Sequence, residues 1–465
     1  MNGRVLRIEL KRSAAPWPGL VVLAGSLAVL LLIDGIWWKG DAGWTAQWTS
    51  MALWTRYLLG FWWPLVVGLG AVYGLRDSRA RTVELLATTP LPAWRRAALP
   101  AGATALALAS GFGLLVLVGA VQVALGDTAY TGSGWLPISL VAALSLVAGA
   151  VFGMGVGRAL PSVLTPPALT LSLLLATLLL RQSNETALPS SSAPNRLALL
   201  FPVTAEPREL LLTLAGSVHL GQTLWLLGLL ATGFALLVAA TRRARLLAVA
   251  PALAGAALAL AVLPAYPGGT YVIDRAAAAP VCDGPVCVTA AHRSRLPDLA
   301  QRGKEALRVL HDALGDKAPT SVREDTQLRA LGDERRLTGD AVLVDFDDPL
   351  IAPATGAELT RLLVAQGLAP NCAPRTTWEG RGQIDIPVQS IAASWALGDH
   401  RFVPLQRPDS YAYSQRTWAD ADAVWQRLTA LPPAEQRSRI TELHAAALSC
   451  TGNNELAAMA GWVSP

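Results

Sequence analysis

Arg79-Ala-Arg81-Thr-Val-Glu84-Leu85-Leu86-Ala-Thr88-Thr89-Pro90-Leu-Pro92-Ala-Trp94-Arg95-Arg96 is a basic, polar stretch set between two long apolar runs, at about 57 to 75 and 99 to 124. Four arginines and two prolines cannot lie in hydrocarbon, whereas each flank can cross it, since a layer of ~30 Å takes ~20 helical residues. The stretch is therefore a loop between two spans. Arg81 to Ala87 has the length and residue types for two helical turns, and Thr88-Thr89 ahead of Pro90 ends them. A short rigid element is predicted to project from the membrane, with Glu84 on one side and Leu85 and Leu86 on another.

Further apolar runs lie at roughly 17 to 38, 136 to 157, 161 to 180, 220 to 240 and 246 to 265, which makes seven spans. Pro161, Pro166 and Pro167 shorten the fifth, where a kinked or half-inserted helix is expected. Composition agrees: of 465 residues 52% are apolar and only 15% charged, with a mean hydropathy of +0.40, unlike a soluble protein. Up to Tyr266 there are 18 Lys+Arg against 9 Asp+Glu, and beyond it 20 against 24. Arg far outnumbers Lys, and Ala and Leu abound, which suggests a high-GC bacterial source.

Lys and Arg are retained on the cytoplasmic side of short loops. With the amino terminus inside, the inner segments hold 13 Lys+Arg, including Arg76, Arg79, Arg81, Arg95, Arg96, Arg158, Arg242, Arg243 and Arg245, and the outer loops only five, Lys39, Arg56, Arg181, Arg196 and Arg208. Seven spans then put everything beyond Tyr266 outside. The run of tryptophans from Trp37 through Trp44, Trp48, Trp54, Trp62 and Trp63 suits an outer interface, where the ring buries and the N–H stays wet. Asp34 lies near that outer end and is expected to reach the interface. The first apolar run lacks a small-residue cleavage site and is expected to stay as an anchor.

All four cysteines, Cys282, Cys287, Cys372 and Cys450, fall in the segment assigned outside, as disulfides in an oxidising compartment would. Of three pairings the expected one joins Cys282 to Cys287 and Cys372 to Cys450, the latter closing a loop worth on the order of 4 kcal/mol. The single C-x4-C has no second pair at metal-ligand spacing, so no metal site is expected.

The outer segment is long enough for its own core and is expected to be α+β. Leu296, Leu299, Leu307, Leu310 and Leu314 recur at helical spacing behind Pro297, and Ala341 to Phe346 is strand-like. Helices are predicted from about Thr355 to Gln366, Val388 to Leu397, Ala419 to Leu431 and Ala434 to Leu448. Pro267 to Pro285, rich in Gly, Ala and Pro, reads as a linker. The expected organisation is a membrane domain at 1–245, a seventh transmembrane helix at 246–265, a linker at 266–285 and an extracytoplasmic domain at 286–465.

There is no G-x-x-x-x-G-K-[ST] loop, so the chain is not itself a nucleotidase of that class. There is no H-E-x-x-H and no G-x-S-x-G. His219, His292, His311, His400 and His444 are scattered, and Asp345, Asp347 and Asp348 lack the glycine and distal Glu of a calcium loop.

The Glu84-Leu-Leu-Ala-Thr-Thr-Pro-Leu-Pro core followed by Trp94-Arg95-Arg96 resembles the loop between the second and third spans of type-2 ATP-binding-cassette (ABC) exporter permeases. The resemblance covers about residues 1 to 245, beginning at Arg7-Ile-Glu-Leu-Lys-Arg-Ser13, which looks like that family's amphipathic connecting helix; a plain topology signal is the alternative. Leu197 to Pro202 and Pro207 to Leu214 are similar to its short outer helices, and equally read as interfacial packing.

The resemblance implies a polytopic α-helical protein of the bacterial cell membrane. It would be a six-span ABC permease core, here with a seventh span and an added extracytoplasmic domain, and two permease copies would form the path. ATP would be bound and hydrolysed by a separate cytoplasmic ATPase, so the chain would be no enzyme and hold no cofactor. Coupling would run through Arg79, Arg81, Glu84, Leu85, Leu86, Thr88, Thr89, Pro90, Arg95 and Arg96. Partners are then the ATPase, the second permease and the lipid bilayer, with no nucleic acid. A membrane-anchored extracytoplasmic binding or sensor protein, or a membrane-tethered enzyme, are the alternatives.

Overall fold

The computed structural model describes residues 16–38, 43–76, 92–126, 130–185, 194–203, 210–327, 335–346, 348, 350–370, 386–405 and 415–450. The chain divides into two compact units, Met1–Val272 and Ile273–Pro465.

The apolar runs of the first unit form helices: α1 (Pro16–Leu32), α2 (Trp48–Tyr57), α3 (Leu59–Gly74), α4 (Ala93–Leu125), α5 (Trp135–Ala159), α6 (Thr165–Glu185), the short α7 (Asn195–Ala198), α8 (Gly216–Val238), α9 (Arg242–Leu247) and α10 (Ala250–Val262). Four stretches, Ala93–Leu125, Trp135–Ala159, Gly216–Val238 and Arg242–Val262, are long and apolar enough to cross a membrane. The pair α2 and α3, bent by 47°, adds a fifth if it is one broken span, while the apolar parts of α1 and α6, Trp17–Leu32 and Thr165–Leu180, are shorter. Each of the seven runs is thus helical, but the structure supports fewer full-length spans. Pro166 and Pro167 sit in the first turn of α6, where a missing N–H removes no helical bond, and α6 runs on unbroken.

The first unit is apolar on its outside. Leu32 is 82% exposed, Leu125 83% and Leu247 74%, and among the described residues every exposed large hydrophobic side chain precedes Ile273. Leaving such a side chain in water instead of burying it forgoes about 1.5–3 kcal/mol, so a surface tiled with them is suited to hydrocarbon. The several long apolar helices are compatible with membrane insertion.

Inside the unit, helices meet through glycine. A methyl at Gly70 would lie 2.3 Å from Ala150 O, at Gly74 2.1 Å from Met154 O, at Gly153 2.0 Å from Val67 O and at Gly157 2.2 Å from Ala71 O. These two small-xxx-small pairs press the backbones of α3 and α5 together, the packing that replaces hydrophobic drive between helices in lipid. Gly19 and Gly111 do the same for α1 and α4, as do Gly155 and Gly233 for α5 and α8.

Three expectations for this unit are corrected. The stretch before span two is not a loop: Trp48–Tyr57 is helical and Thr49 to Arg56 are all buried. Nor are its tryptophans a wet belt, because Trp44, Trp54 and Trp63 are nearly sealed and the indole N–H groups of Trp37, Trp44 and Trp48 have no acceptor among the described residues. Trp48 stacks on Trp135 (5.5 Å) and Trp37 meets Trp54 edge-on (5.9 Å), so ring–ring packing has drawn them inward. Downstream, part of the piece expected as an amphipathic helix is instead the strand β1 (Leu212–Leu214), paired with β2 (Tyr271–Ile273).

The second unit is built on a four-stranded sheet, β3 (Pro280–Asp283), β4 (Val286–Thr289), β5 (Ser321–Glu324) and β6 (Ala341–Val344), in sequential order. β3 and β4 form an antiparallel hairpin with Cys282 opposite Cys287, and β4, β5 and β6 run parallel. Val286, Val288, Val322, Val342 and Val344 join a core with Leu299 and Leu310 of α11 (Leu296–Leu314), Leu363 of α12 (Gly356–Leu368), Ile391 of α13 (Ile386–Ala396), Leu428 of α14 (Gln415–Ala430) and Leu443 of α15 (Pro433–Ser449). The stretch read as a linker carries β2 and β3.

Candidate functional site

The loop that decides the sequence reading falls between α3 and α4. Arg79, Arg81, Glu84, Leu85, Leu86, Thr88, Thr89 and Pro90 lie outside the described residues, but both shoulders are placed. On one side Arg76 sits over the ring of Tyr73 at 5.8 Å. On the other, Pro92 caps α4, and its carbonyl accepts the N–H of Arg95 (3.0 Å) and of Arg96 (3.3 Å). The Arg95 guanidinium lies 5.1 Å from the Trp94 ring centroid, and that ring is half exposed. A cation on an amphipathic ring at a helix start suits a headgroup layer. Asp34 is exposed just past the end of α1.

Within the first unit the structure also assembles a polar centre that sequence reading missed. Arg56, counted above among the outer-loop cations, is fully buried on α2. Its Nε donates to Pro202 O at 3.0 Å, one terminal nitrogen donates to Gln222 Oε1, and the other, Nη1, has no acceptor among the described residues. Gln222, on α8, turns its amide N–H groups to Leu199 O (2.9 Å) and Phe201 O (3.1 Å). One turn earlier on α8, His219 Nδ1 is also buried without a partner among the described residues. No carboxylate pairs with Arg56 among the described residues. The signal available beforehand was a lone Arg just ahead of a span, which positive-charge counting assigns to solvent.

In the second unit the carboxyl ends of β4, β5 and β6 lie side by side, where open α/β sheets place ligands. Glu324, at the end of β5, accepts the Thr289 N–H at 2.7 Å and meets His292 Nδ1 at 2.6 Å. The His292 ring lies 4.6 Å from that of Phe346, which Arg295 approaches at 5.2 Å. Arg335 bridges Asp325 (2.8 Å) and Asp345 (3.3 Å). Thr289 Oγ1 is buried without a partner among the described residues. The carboxylates here are each engaged by a base or cation, which makes the edge a closed ionic network rather than an open cation cage. Asp348 turns its carboxylate on the Leu350 N–H (3.0 Å), Asp347 is outside the described residues, and no group of three His, Cys, Asp or Glu suited to a metal occurs among the described ones.

The histidines divide by environment. His444 is buried and its Nδ1 lies 3.3 Å from Leu368 O. Loss of hydration pushes its pKa below the usual range, against the opposing pull of the Leu368 and Gly367 carbonyls. The Cys282–Cys287 disulfide is present. Cys450 is disulfide-bonded, and Cys372, its expected partner, is outside the described residues. Comparison with family models, with curated proteins and with solved structures finds no match for this chain.

Proposed function

We propose that the chain is the permease subunit of an ABC exporter, working as a pair of permease subunits and driven by a separate cytoplasmic ATPase. The observation that carries this reading is the order Glu84-Leu-Leu-Ala-Thr-Thr-Pro-Leu-Pro-Ala-Trp-Arg-Arg between two apolar helices. A positive-inside loop accounts for the arginines but not for that order. The alternation of basic and neutral loops gives further support, as does an apolar outer surface over glycine-seated helix contacts.

On this reading the Arg81 to Pro92 element docks in a groove of the ATPase. Glu84 pairs with a basic residue there, while Arg95 and Arg96 hold the return to the membrane. Nucleotide-driven closure of the ATPase pair then moves α3 and α4, which the element joins. Because α3 is seated on α5 backbone to backbone, displacement of α3 carries α5 with it. The second unit is the extracytoplasmic addition, and a ligand-binding role there without transport is the second reading, with the carboxyl ends of the parallel strands β4 to β6 as its place.

Glu84→Arg separates the two. Under the exporter reading, ATPase activity of the purified assembly falls to that of the isolated ATPase, while the second unit keeps its melting temperature. Unchanged ATPase activity in that variant would sink the coupling assignment.

A further inference from the structure

Arg56 is a cation inside an apolar unit with nothing of opposite charge beside it among the described residues. Moving an ion out of water costs several kcal/mol even after the protein relaxes. Two carbonyl-type acceptors, Pro202 O and Gln222 Oε1, offset part of that, and an uncharged donor would hold the same acceptors at lower cost. Among the described residues Nη1 keeps its N–H groups unspent, and His219 Nδ1, one turn from Gln222 on α8, is likewise buried and unpartnered. A guanidinium with one spare terminal nitrogen still offers charge-assisted N–H donors to an oxygen of a carboxylate or phosphate.

The centre also has a cover. Asn195 is anchored by its side chain to Pro264 O (3.0 Å) and Thr270 Oγ1 (3.2 Å), and Arg196 Nε to Leu263 O (3.0 Å). The far end of that segment is held differently, by side-chain bonds from Arg56 and Gln222 to the carbonyls of Leu199, Phe201 and Pro202. Phe201 rests edge-on against Trp63 at 5.7 Å. An oxyanion that also drew on Arg56 Nε would compete with Pro202 O, leaving the Gln222 bonds to Leu199 O and Phe201 O to hold that end of the cover.

We propose that Arg56, with Gln222 and His219, is an oxyanion-binding centre of the membrane unit, taking the carboxylate or phosphate headgroup of an amphiphile beneath the Asn195–Pro202 segment. It goes beyond the exporter reading and stands or falls without the ATPase. Loss of a charge-assisted bond of 1.5–3 kcal/mol weakens binding by about tenfold or more.

The test uses the full chain in a neutral maltoside detergent, with thermal stability followed during titration with dodecyl phosphate, dodecanol and inorganic phosphate. A saturable rise in melting temperature with dodecyl phosphate but not dodecanol supports the centre. The same rise with inorganic phosphate supports it and makes the ligand a soluble anion. Arg56→Gln should remove the response and Arg56→Lys weaken it. Should Arg56→Gln not yield monodisperse protein, His219→Gln, which disturbs no buried ion, should weaken the midpoint instead. Equal effects of dodecyl phosphate and dodecanol on the unaltered protein, no effect of any probe, or a monodisperse Arg56→Gln variant responding like the parent would each overturn it.

Discussion

Gly153→Ala adds one methyl group where α3 and α5 touch. Its Cβ would lie 2.0 Å from Val67 O, 2.9 Å from Val67 C and 3.1 Å from Ala71 N, all backbone atoms that cannot rotate away. Carbon–oxygen contacts settle at about 3.3 Å or more, so the helices must part by more than about 1 Å. Parting also loosens the neighbouring contacts at Gly70, Gly74 and Gly157, since a gap of 0.5–1 Å forfeits about a quarter to a half of each dispersion well. Overpacking of this kind costs about 1–3 kcal/mol, and a value near 2 kcal/mol corresponds to a loss of roughly 4–8 °C in melting temperature for a unit of this size. Gly113→Ala is the internal control: it sits on α4 with nothing within 4 Å of the added methyl, and helix propensity favours Ala over Gly by up to about 1 kcal/mol. The assay is the fraction of each detergent-solubilised variant that stays monodisperse after stepped heating. If Gly153→Ala melts at or above Gly113→Ala, the backbone-to-backbone seam between α3 and α5 is wrong.

Three further outcomes follow. His444 is held below its ordinary pKa by burial, so the unfolded chain binds its proton first, and stability of the second unit falls as pH drops below about 6.5; melts of the full chain from pH 8 to 5 should show this, and His444→Gln should flatten it. Replacing Cys282 and Cys287 by Ala opens a link five residues apart in sequence, which the chain-entropy model values at about 2 kcal/mol; a denaturant midpoint that does not move contradicts it. Asp399→Asn removes a carboxylate that takes two half-buried bonds from Arg361, at 2.6 and 3.1 Å, and is expected to cost about 1–3 kcal/mol in the same denaturant assay.

What could be read in the sequence followed from scale. Long runs of Ala, Leu and Val specify helices over many residues, so α4, α5 and α8 were legible, as was α11 from its leucine spacing behind Pro297, while α12 to α15 were placed to within a few residues. Strands β3 and β4 were not, because Val281-Cys-Asp-Gly-Pro-Val-Cys287 carries turn signals over most of its length, nor was β5, whose four residues Ser-Val-Arg-Glu include only one apolar side chain. Trp44, Trp54 and Trp63 illustrate a second limit: an indole suits a headgroup layer and a core equally, and only its ring partners decide. Arg56 illustrates a third, since a count of cations by loop takes every Arg near a span to be wet. His292 and Glu324, 32 residues apart, meet only because β4 and β5 run parallel through a helical crossover.

The central claim is that the Arg81 to Pro92 element engages an ATPase, and the most direct measurement is purification of the tagged full chain from its native membrane in mild detergent, with mass spectrometry of what accompanies it. A cassette ATPase is expected to co-purify with the parent chain and to be lost with Glu84→Arg. An intact, monodisperse protein with no ATPase beside it would contradict the account and shift the working part of the molecule to the second unit.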